Sequence, residues 1–164
     1  MKLKIYRYNI VNSTNDIAVK KINYKKTSGI VIANKQIKGR GRFGRKWISY
    51  EGNFHASVFF KISNNTNINK FTKYNCEIIK NLNNKIIKKR NLVIKKPNDI
   101  LVNKAKICGI LQETVIKDKK KFIIIGIGIN INESPNLRGY KTTYINKFLK
   151  YKISKLVVLY KIKK

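Results

Sequence analysis

At 164 residues with 43% hydrophobic side chains, the chain is long enough for one domain with a real core and gives no sign of a second. Its formal charge of +31, from 38 Lys and Arg against 7 Asp and Glu, would ordinarily point to nucleic acid or an anionic membrane. Here the lysines are scattered along the whole chain and accompany an excess of isoleucine and asparagine, the signature of adenine- and thymine-rich codons rather than of a phosphate-binding tract.

The elements follow in chain order. Residues 3–10 read as a short strand. Ser13 or Thr14 is a good helix N-cap, with Asp16 in the first turn facing the positive helix end, and Ile17, Ala18, Lys21 and Ile22 continue a helical stripe to about Tyr24. The β-branched run of residues 29–34 predicts a buried strand, and residues 53–62 a second one. A glycine- and arginine-rich loop lies between them, so a sheet positions it. Residues 67–89 place Phe71, Tyr74, Ile78, Ile79, Leu82 and Ile86 at helical spacing. Residues 92–96 form a strand stopped by Pro97. Residues 100–102 and 105–115 make a hairpin about Asn103-Lys104. The apolar run 122–129 is expected to be central, and residues 143–161 to form a final helix. The order predicts an α+β fold, a mixed and mostly antiparallel sheet packed by helices.

Two cysteines, Cys76 and Cys108, with no CxxC pair, exclude a disulfide framework and a cysteine-ligated metal, and read as reduced thiols. The single histidine, His55, excludes a two-histidine metal site and sits in an alternating run that predicts a strand position. No apolar stretch nears the ~20 residues that span a bilayer, and the N-terminus lacks the features of a signal peptide. A soluble cytoplasmic protein with no membrane partner is expected.

Residues 39–47, Gly-Arg-Gly-Arg-Phe-Gly-Arg-Lys-Trp, carry the most chemistry. Glycines let the backbone approach a ligand closely, and interleaved arginines supply bidentate donors for carboxylate or phosphate. Trp47, the only tryptophan, can cover such a ligand. The plain alternative is a solvated basic loop or an RNA-binding segment. No GxxxxGK[ST] is present, so a P-loop is excluded, and Gly126-Ile-Gly-Ile-Asn130 is no dinucleotide fingerprint because Ile131 stands at the third glycine position. The residue types suit an acid that must be activated, since bringing a carboxylate to a nucleotide phosphate needs cations against their repulsion.

The loop, followed by Ser49, resembles the biotin-binding loop of biotin–protein ligases. Three further motifs stand in that family's order: Ser13-Thr14-Asn15; Lys96-Pro97-Asn98-Asp99 followed by Lys106-Ile-Cys-Gly-Ile-Leu111; and residues 126–130. The resemblance implies a biotin/lipoate ligase catalytic domain related to class II aminoacyl-tRNA synthetases. It implies ATP and Mg²⁺ as requirements, biotin as substrate, and a biotin carboxyl carrier protein of acetyl-CoA carboxylase as partner. Such an enzyme makes biotinyl-5′-AMP and passes biotin to a carrier lysine. By position, Ser13, Thr14, Asn15, Gln36, Gly39, Arg40, Arg42, Lys106 and Gly109 match biotin contacts. Arg40, Arg42, Arg45, Trp47, Asn98, Lys106 and Asn130 match ATP or adenylate contacts. Lys106, Arg40 and Asp99 match catalytic positions, with Lys106 bridging biotin carboxylate and α-phosphate. No protein ligand to metal is implied, Mg²⁺ being carried mainly by the phosphates.

The chain departs from the family in having Lys96 where Trp commonly precedes Pro-Asn-Asp, and Cys108 where a small residue, usually Ala, precedes the glycine. The resemblance implies residues 1–164 are one catalytic domain, shortened at its C-terminus, with neither an N-terminal DNA-binding domain nor a C-terminal β-barrel domain. Specific DNA binding is therefore not expected, and a homodimer is left open. Two other functions compete: a degenerate biotin-binding remnant of a ligase, and a basic RNA- or ribosome-associated protein. Lipoate ligases and octanoyltransferases share the implied fold but differ in the loop signature.

Overall fold

The computed structural model describes residues 3–88 and 90–163. Seven strands form one sheet in the order β1-β2-β3-β7-β6-β5-β4. They are β1 (Ile5–Val11), β2 (Ser28–Gln36), β3 (Phe54–Ile62), β4 (Leu92–Lys95), β5 (Asp99–Val102), β6 (Ala105–Lys117) and β7 (Lys120–Ile129). Only β1 and β2 pair in parallel, and the helix α1 (Thr14–Asn23) provides the crossover that parallel strands require. All other pairs are antiparallel, so the expected mixed α+β sheet is found, with the apolar β7 at its centre.

Strand side chains alternate between faces, and the two faces carry different cores. On one face, Phe122 and Ile124 of β7 meet Phe59, Val31 and the buried side of α1, Ala18 and Ile22. On the other, Ile123, Ile125, Ile127 and Ile129 lie in the larger core. That core includes Cys76, Ile79 and Leu82 of α2 (Ile68–Ile86), and Val158 and Leu159 of α3 (Lys155–Lys163). Ser13 caps α1, its hydroxyl accepting from the Asn15 N–H at 3.2 Å, and Asn67 caps α2 by accepting from the Lys70 N–H at 3.0 Å. The Asn103-Lys104 turn has both residues at positive φ, 50° and 63°, the twist a two-residue hairpin needs. No described helix is long and apolar enough to cross a membrane.

Two expectations change. Helix α2 ends at Ile86, short of the expected residue 89, which lies outside the described residues. The helix expected over residues 143–161 is broken into a 3₁₀ turn, Ile145–Phe148, and α3. The cause is Asn146. Its Oδ1 accepts from the Ile153 N–H at 2.9 Å and its Nδ2 donates to the Ile153 carbonyl at 3.1 Å, offering the backbone a local alternative to helix. The Ile145 and Asn146 N–H groups meanwhile bond the Asn130 and Ile131 carbonyls, each at 2.9 Å, pinning the turn to the end of β7.

A second asparagine holds the exit from β7. Fully buried Asn53 accepts through Oδ1 from the N–H groups of Ile131 and Asn132 at 2.9 Å and of Glu133 at 3.3 Å, and donates to the Glu133 carbonyl at 2.8 Å. Asn53→Ala strands several of these groups, each costing about 1–3 kcal/mol if left unpaired. We expect a loss of about 3 kcal/mol, seen in thermal melts as a Tm lower by roughly 6–12 °C. A loss below about 1 kcal/mol would show that water replaces the bonds.

Candidate active site

A cleft of about 660 Å³ opens on the α1 face of the sheet, and the strand register explains why it is there. His55 of β3 lies opposite Gly128 of β7, which lies opposite Gly109 of β6. One row along, Ser57 faces Gly126, which faces Leu111. Beyond Phe122 and Ile124, which fill the core on this face, β7 thus carries Gly126 and Gly128, and the sheet surface there is bare. Trp47 occupies the first row. A Cβ on Gly128 would stand 2.4 Å from its ring, and one on Gly109 3.0 Å. Asn15 occupies the second row, where a Cβ on Gly126 would stand 2.6 Å from its Oδ1. The glycines let an aromatic lid and a polar side chain lie against backbone.

A β-bulge aims Lys106. The pairing of β5 with β6 steps from Ile100↔Cys108 to Leu101↔Lys106, so Ile107 is the extra residue. Without it, residues 106 and 109 would point to opposite faces. With it, Lys106 Nζ comes within 3.3 Å of where a Cβ on Gly109 would sit, inside the cleft. There it pairs with Asp99 Oδ1 at 2.7 Å and lies 5.6 Å from the Trp47 ring centroid and 5.7 Å from that of Tyr140. The Tyr140 hydroxyl donates to the other Asp99 oxygen at 2.8 Å. Burial, then the bond to Asp99, raises the Tyr140 pKa, so this proton stays in place.

The other end of the cleft is a polar network. Gln36 Oε1 accepts from the Thr14 N–H at 2.8 Å and the Thr14 hydroxyl at 3.0 Å, and Gln36 Nε2 reaches Ser49 Oγ at 3.4 Å. Ser57 Oγ bonds Thr14 Oγ1 at 2.7 Å and also reaches Asn15 Oδ1. Arg40 lies between two carboxylates, Asp16 at 2.7 Å and Glu113 through both Nε and Nη2 at 3.2 Å. Burial works against its charge, but Glu113 and Asp16 outweigh that and raise its pKa. Arg42 and Arg45 line the cleft with no carboxylate partner among the described residues.

Of the residues singled out in the sequence, Ser13, Thr14, Asn15, Gln36, Arg40 and Arg42 line the cleft. So do Arg45, Trp47, Asn98, Asp99, Lys106, Gly109 and Asn130. Gly39 stands at the loop stem, where its carbonyl accepts from the Trp47 N–H at 2.9 Å and a Cβ would meet the Trp47 carbonyl at 2.6 Å. Asn98 is spent on structure, its Nδ2 donating to the Ile110 carbonyl at 2.6 Å. Asn130 donates to the Thr143 carbonyl at 3.1 Å, while its buried Oδ1 has no donor among the described residues. Cys108, whose thiol pKa burial raises, faces away from the cleft into the larger core.

Four contributors escaped the sequence reading: Glu113, Ser57, Tyr140 and the contact made by His55. The Trp47 Nε1–H donates to His55 Nδ1 at 3.3 Å, which assigns the ring proton to Nε2, 3.1 Å from the Tyr50 carbonyl. His55 keeps its expected strand position and also orients the lid. Alternation along β3 would have flagged His55 and Ser57 once their partners were known to be Gly128 and Gly126. Nothing local marks Tyr140.

Fold and cleft together define a ligase-type domain of a known class. The sequence matches the Biotin/lipoate A/B protein ligase family over residues 8–130, and the chain belongs to that family. Over 135 residues it is 35% identical to the bifunctional ligase/repressor BirA of Bacillus subtilis, covering 79% of this chain and 41% of that protein. Over 128 residues it is 30% identical to the biotin–[acetyl-CoA-carboxylase] ligase of Paracoccus denitrificans, covering 76% of this chain and 53% of that one. The chain thus spans about half the length, or less, of these relatives. Among solved structures, a biotin protein ligase from Aquifex aeolicus in complex with biotin and ATP superposes with a TM-score of 0.81 at 26% identity, covering 98% of this chain and 67% of that one. One from Leishmania major in complex with biotinyl-5-AMP gives 0.83 at 24% identity, covering 97% and 71%, and shares the fold.

Two outcomes follow from the lid. Gly128→Ala places a methyl where the Trp47 ring lies, so the ring should lift toward water. Trp47 is the sole tryptophan, so its emission should shift to the red and its quenching by acrylamide rise; unchanged emission would mean the ring rests elsewhere. His55 is the sole histidine, and burial pushes its pKa down from 6.5 to about 4, partly offset by the Tyr50 bond and reinforced by Lys155. Because the unfolded ring takes a proton that the folded ring refuses, stability is full above pH 6.5 and falls as pH drops toward 4, by about 3 kcal/mol. Denaturant melts across this window should show the slope, and His55→Gln, which cannot titrate, should remove it.

Proposed function

We propose that this chain is a biotin–protein ligase that activates biotin with ATP and transfers it to a lysine of a biotin carboxyl carrier protein, that of acetyl-CoA carboxylase. The observation that carries this reading is Lys106, turned by the bulge into a cleft between Asp99, the Trp47 lid and the glycine–arginine loop. It is supported by family membership and by what the relatives bind or are named for: biotin and ATP in the Aquifex protein, acetyl-CoA carboxylase in that from Paracoccus.

In the first step a biotin carboxylate oxygen attacks the α-phosphorus of ATP. A P–O bond forms to biotin, the bond to the β-phosphate oxygen breaks, and pyrophosphate leaves with the electron pair. Lys106 supplies a point charge where the pentavalent phosphorus gathers negative charge, which a Lys ammonium does in a fixed and partly dry site. Arg42 and Arg45, without carboxylate partners among the described residues, hold the phosphates. Mg²⁺ bound to the phosphates would add charge neutralisation for the leaving pyrophosphate. The nucleotide fits the residues present: Trp47 offers a face for adenine, and the unpartnered Asn130 Oδ1 offers an acceptor for its amino group. Biotin's ureido ring, with one carbonyl and two N–H groups, fits the Ser13, Thr14, Asn15 and Gln36 end.

In the second step a neutral carrier lysine attacks the acyl carbon, an amide C–N bond forms, the C–O bond to phosphate breaks and AMP leaves. Asp99, with one oxygen on Lys106 and the other on Tyr140, stands where the amine sheds its proton and accepts it when Lys106 turns to the phosphate. The two free, buried cysteines suit the reducing cytoplasm, where we place the reaction.

Purified protein with biotin, MgATP and a carrier domain should yield a biotinylated carrier, read by streptavidin blot and intact mass. Lys106→Ala should slow pyrophosphate release by about 10²–10³-fold or more, the scale of losing one stabilising charge. Lys88→Ala, at an exposed position, should leave it within about twofold. Carrier mass gain with lipoate and not biotin would reassign the substrate, and equal rates for the two variants would remove Lys106 from the chemistry.

A further inference from the structure

We propose that Glu113 is a positioning residue which, through Arg40, ties the polar end of the cleft to the glycine–arginine loop. The proposal names a function for the site read above and rests on that reading only for its effect on biotin.

The geometry is specific. Arg40 presents a planar fork whose donors suit two carboxylates, and both are present: Nη1 on Asp16 at 2.7 Å, Nε and Nη2 on the two Glu113 oxygens at 3.2 Å. Glu113 Oε2 also accepts from Asn15 Nδ2 at 2.7 Å. Asn15 is reached on its other side by Ser57, and Ser57 bonds Thr14, which bonds Gln36. One continuous chain of hydrogen bonds therefore runs from the side chains that suit a ureido ring to the first arginine of the loop. At that arginine the backbone bridges Lys46, so holding Arg40 holds both stems of the loop. Further out, Gly41 N–H bonds the Arg45 carbonyl at 2.6 Å, but Phe43 at the tip is 84% exposed.

Arg40 therefore differs in role from Arg42 and Arg45. Its guanidinium is already occupied by protein carboxylates and serves as a strut, while the other two remain available to an anion. Glu113 also neutralises one charge in a loop holding Arg40, Arg42, Arg45 and Lys46, whose mutual repulsion would otherwise open the stems. When a ligand orders Thr14, Asn15 and Gln36, Glu113 transmits that order to Arg40 and the loop.

The test is a double-mutant cycle on hydrogen exchange in the ligand-free protein. Glu113→Gln keeps the shape but loses the charge and one oxygen, and Arg40→Gln removes the fork. Each should speed exchange of the amides in residues 39–47 by about tenfold relative to the amides of β7, and the double variant should be no faster than either single one. Asp16→Asn, which leaves Glu113 and the sheet intact, should speed the same segment by a smaller factor. In adenylate formation, Glu113→Gln should raise KM for biotin by about tenfold with kcat changed less than about threefold. Unchanged loop exchange in Glu113→Gln, additive effects in the double variant, or a uniform rise across the whole sheet would each overturn the proposal. Because the exchange data need no ligand, a failure to bind biotin with the cycle intact would refute the substrate and spare the strut. Should Glu113→Gln not fold, unchanged loop exchange in Asp16→Asn would overturn the proposal by itself.

Discussion

A cleft that attracts anions must gather cations before any anion arrives, and the like charges repel until it does. In this chain the problem is acute, with 38 cationic side chains and only 7 acidic ones. Of those seven, Asp99 lines the cleft and Asp16 and Glu113 hold Arg40, which lines it; each is within 3.2 Å of a cationic group. The Lys106–Asp99 pair is the least exposed of the three and so the least screened, while the Arg40 pairs stay about a third open to solvent and act by fixing geometry more than by raw attraction. Asp99 holds Lys106 in place against Trp47 and Tyr140, and Glu113 with Asp16 holds Arg40. The loop, the lid and the segment carrying Tyr140 all converge on these carboxylates.

The second requirement is closeness, and the sheet meets it by omission. On the α1 face of β7, side chains large enough to fill a core stop after Ile124, and glycines take the next two positions on that face. The indole of Trp47 then rests on backbone instead of on side chains, close enough to Lys106 for its π face to help hold the ammonium. His55 sets the ring's rotation from the neighbouring strand. A methyl at Gly128 would meet the indole, while the same methyl at exposed Gly44, where nothing lies within 4 Å, would meet only its own backbone strain at φ +71°. The glycines of the floor and those of the loop thus serve different ends.

Much of this was legible in the sequence because period-2 and 3.6 patterns report burial directly. The β-branched runs, the Asn103-Lys104 turn and the apolar centre strand all read correctly. The misreading at residues 143–161 has a definite cause: the apolar spacing of Ile145, Phe148, Leu149 and Ile153 is helical, but the Asn146 side chain satisfies the backbone of Ile153 locally, and spacing carries no information about that. The site divides in the same way. Residues in contiguous motifs, such as Lys106 and Trp47, could be named from the chain alone. Glu113, Ser57 and Tyr140 could not, because what makes them functional is register across β6, β7 and β3, or a loop folding back from residue 140 to Asp99. The bulge at Ile107 is likewise invisible in one dimension, and without it the lysine of the motif would point into the apolar core.

The high net charge and the chemistry are separate matters. What distinguishes Lys106 or Arg40 from the other cations is not being positive but having a partner that fixes where the charge sits. A lysine on an exposed helix face spends its time in water and its field is screened within about 10 Å. Lys106 is held by Asp99 through one bond, Arg40 by Asp16 and Glu113 through three, and Arg42 and Arg45 by no carboxylate among the described residues. That gradient orders their tasks. The arginine with three bonds would lose most by leaving them, so it braces the loop. The lysine with one bond can exchange its carboxylate for a phosphate of higher charge, and the arginines without carboxylates need exchange nothing. A +31 chain can therefore drift in charge over its whole surface while the proposed activity rests on a few cations and the three carboxylates that place them.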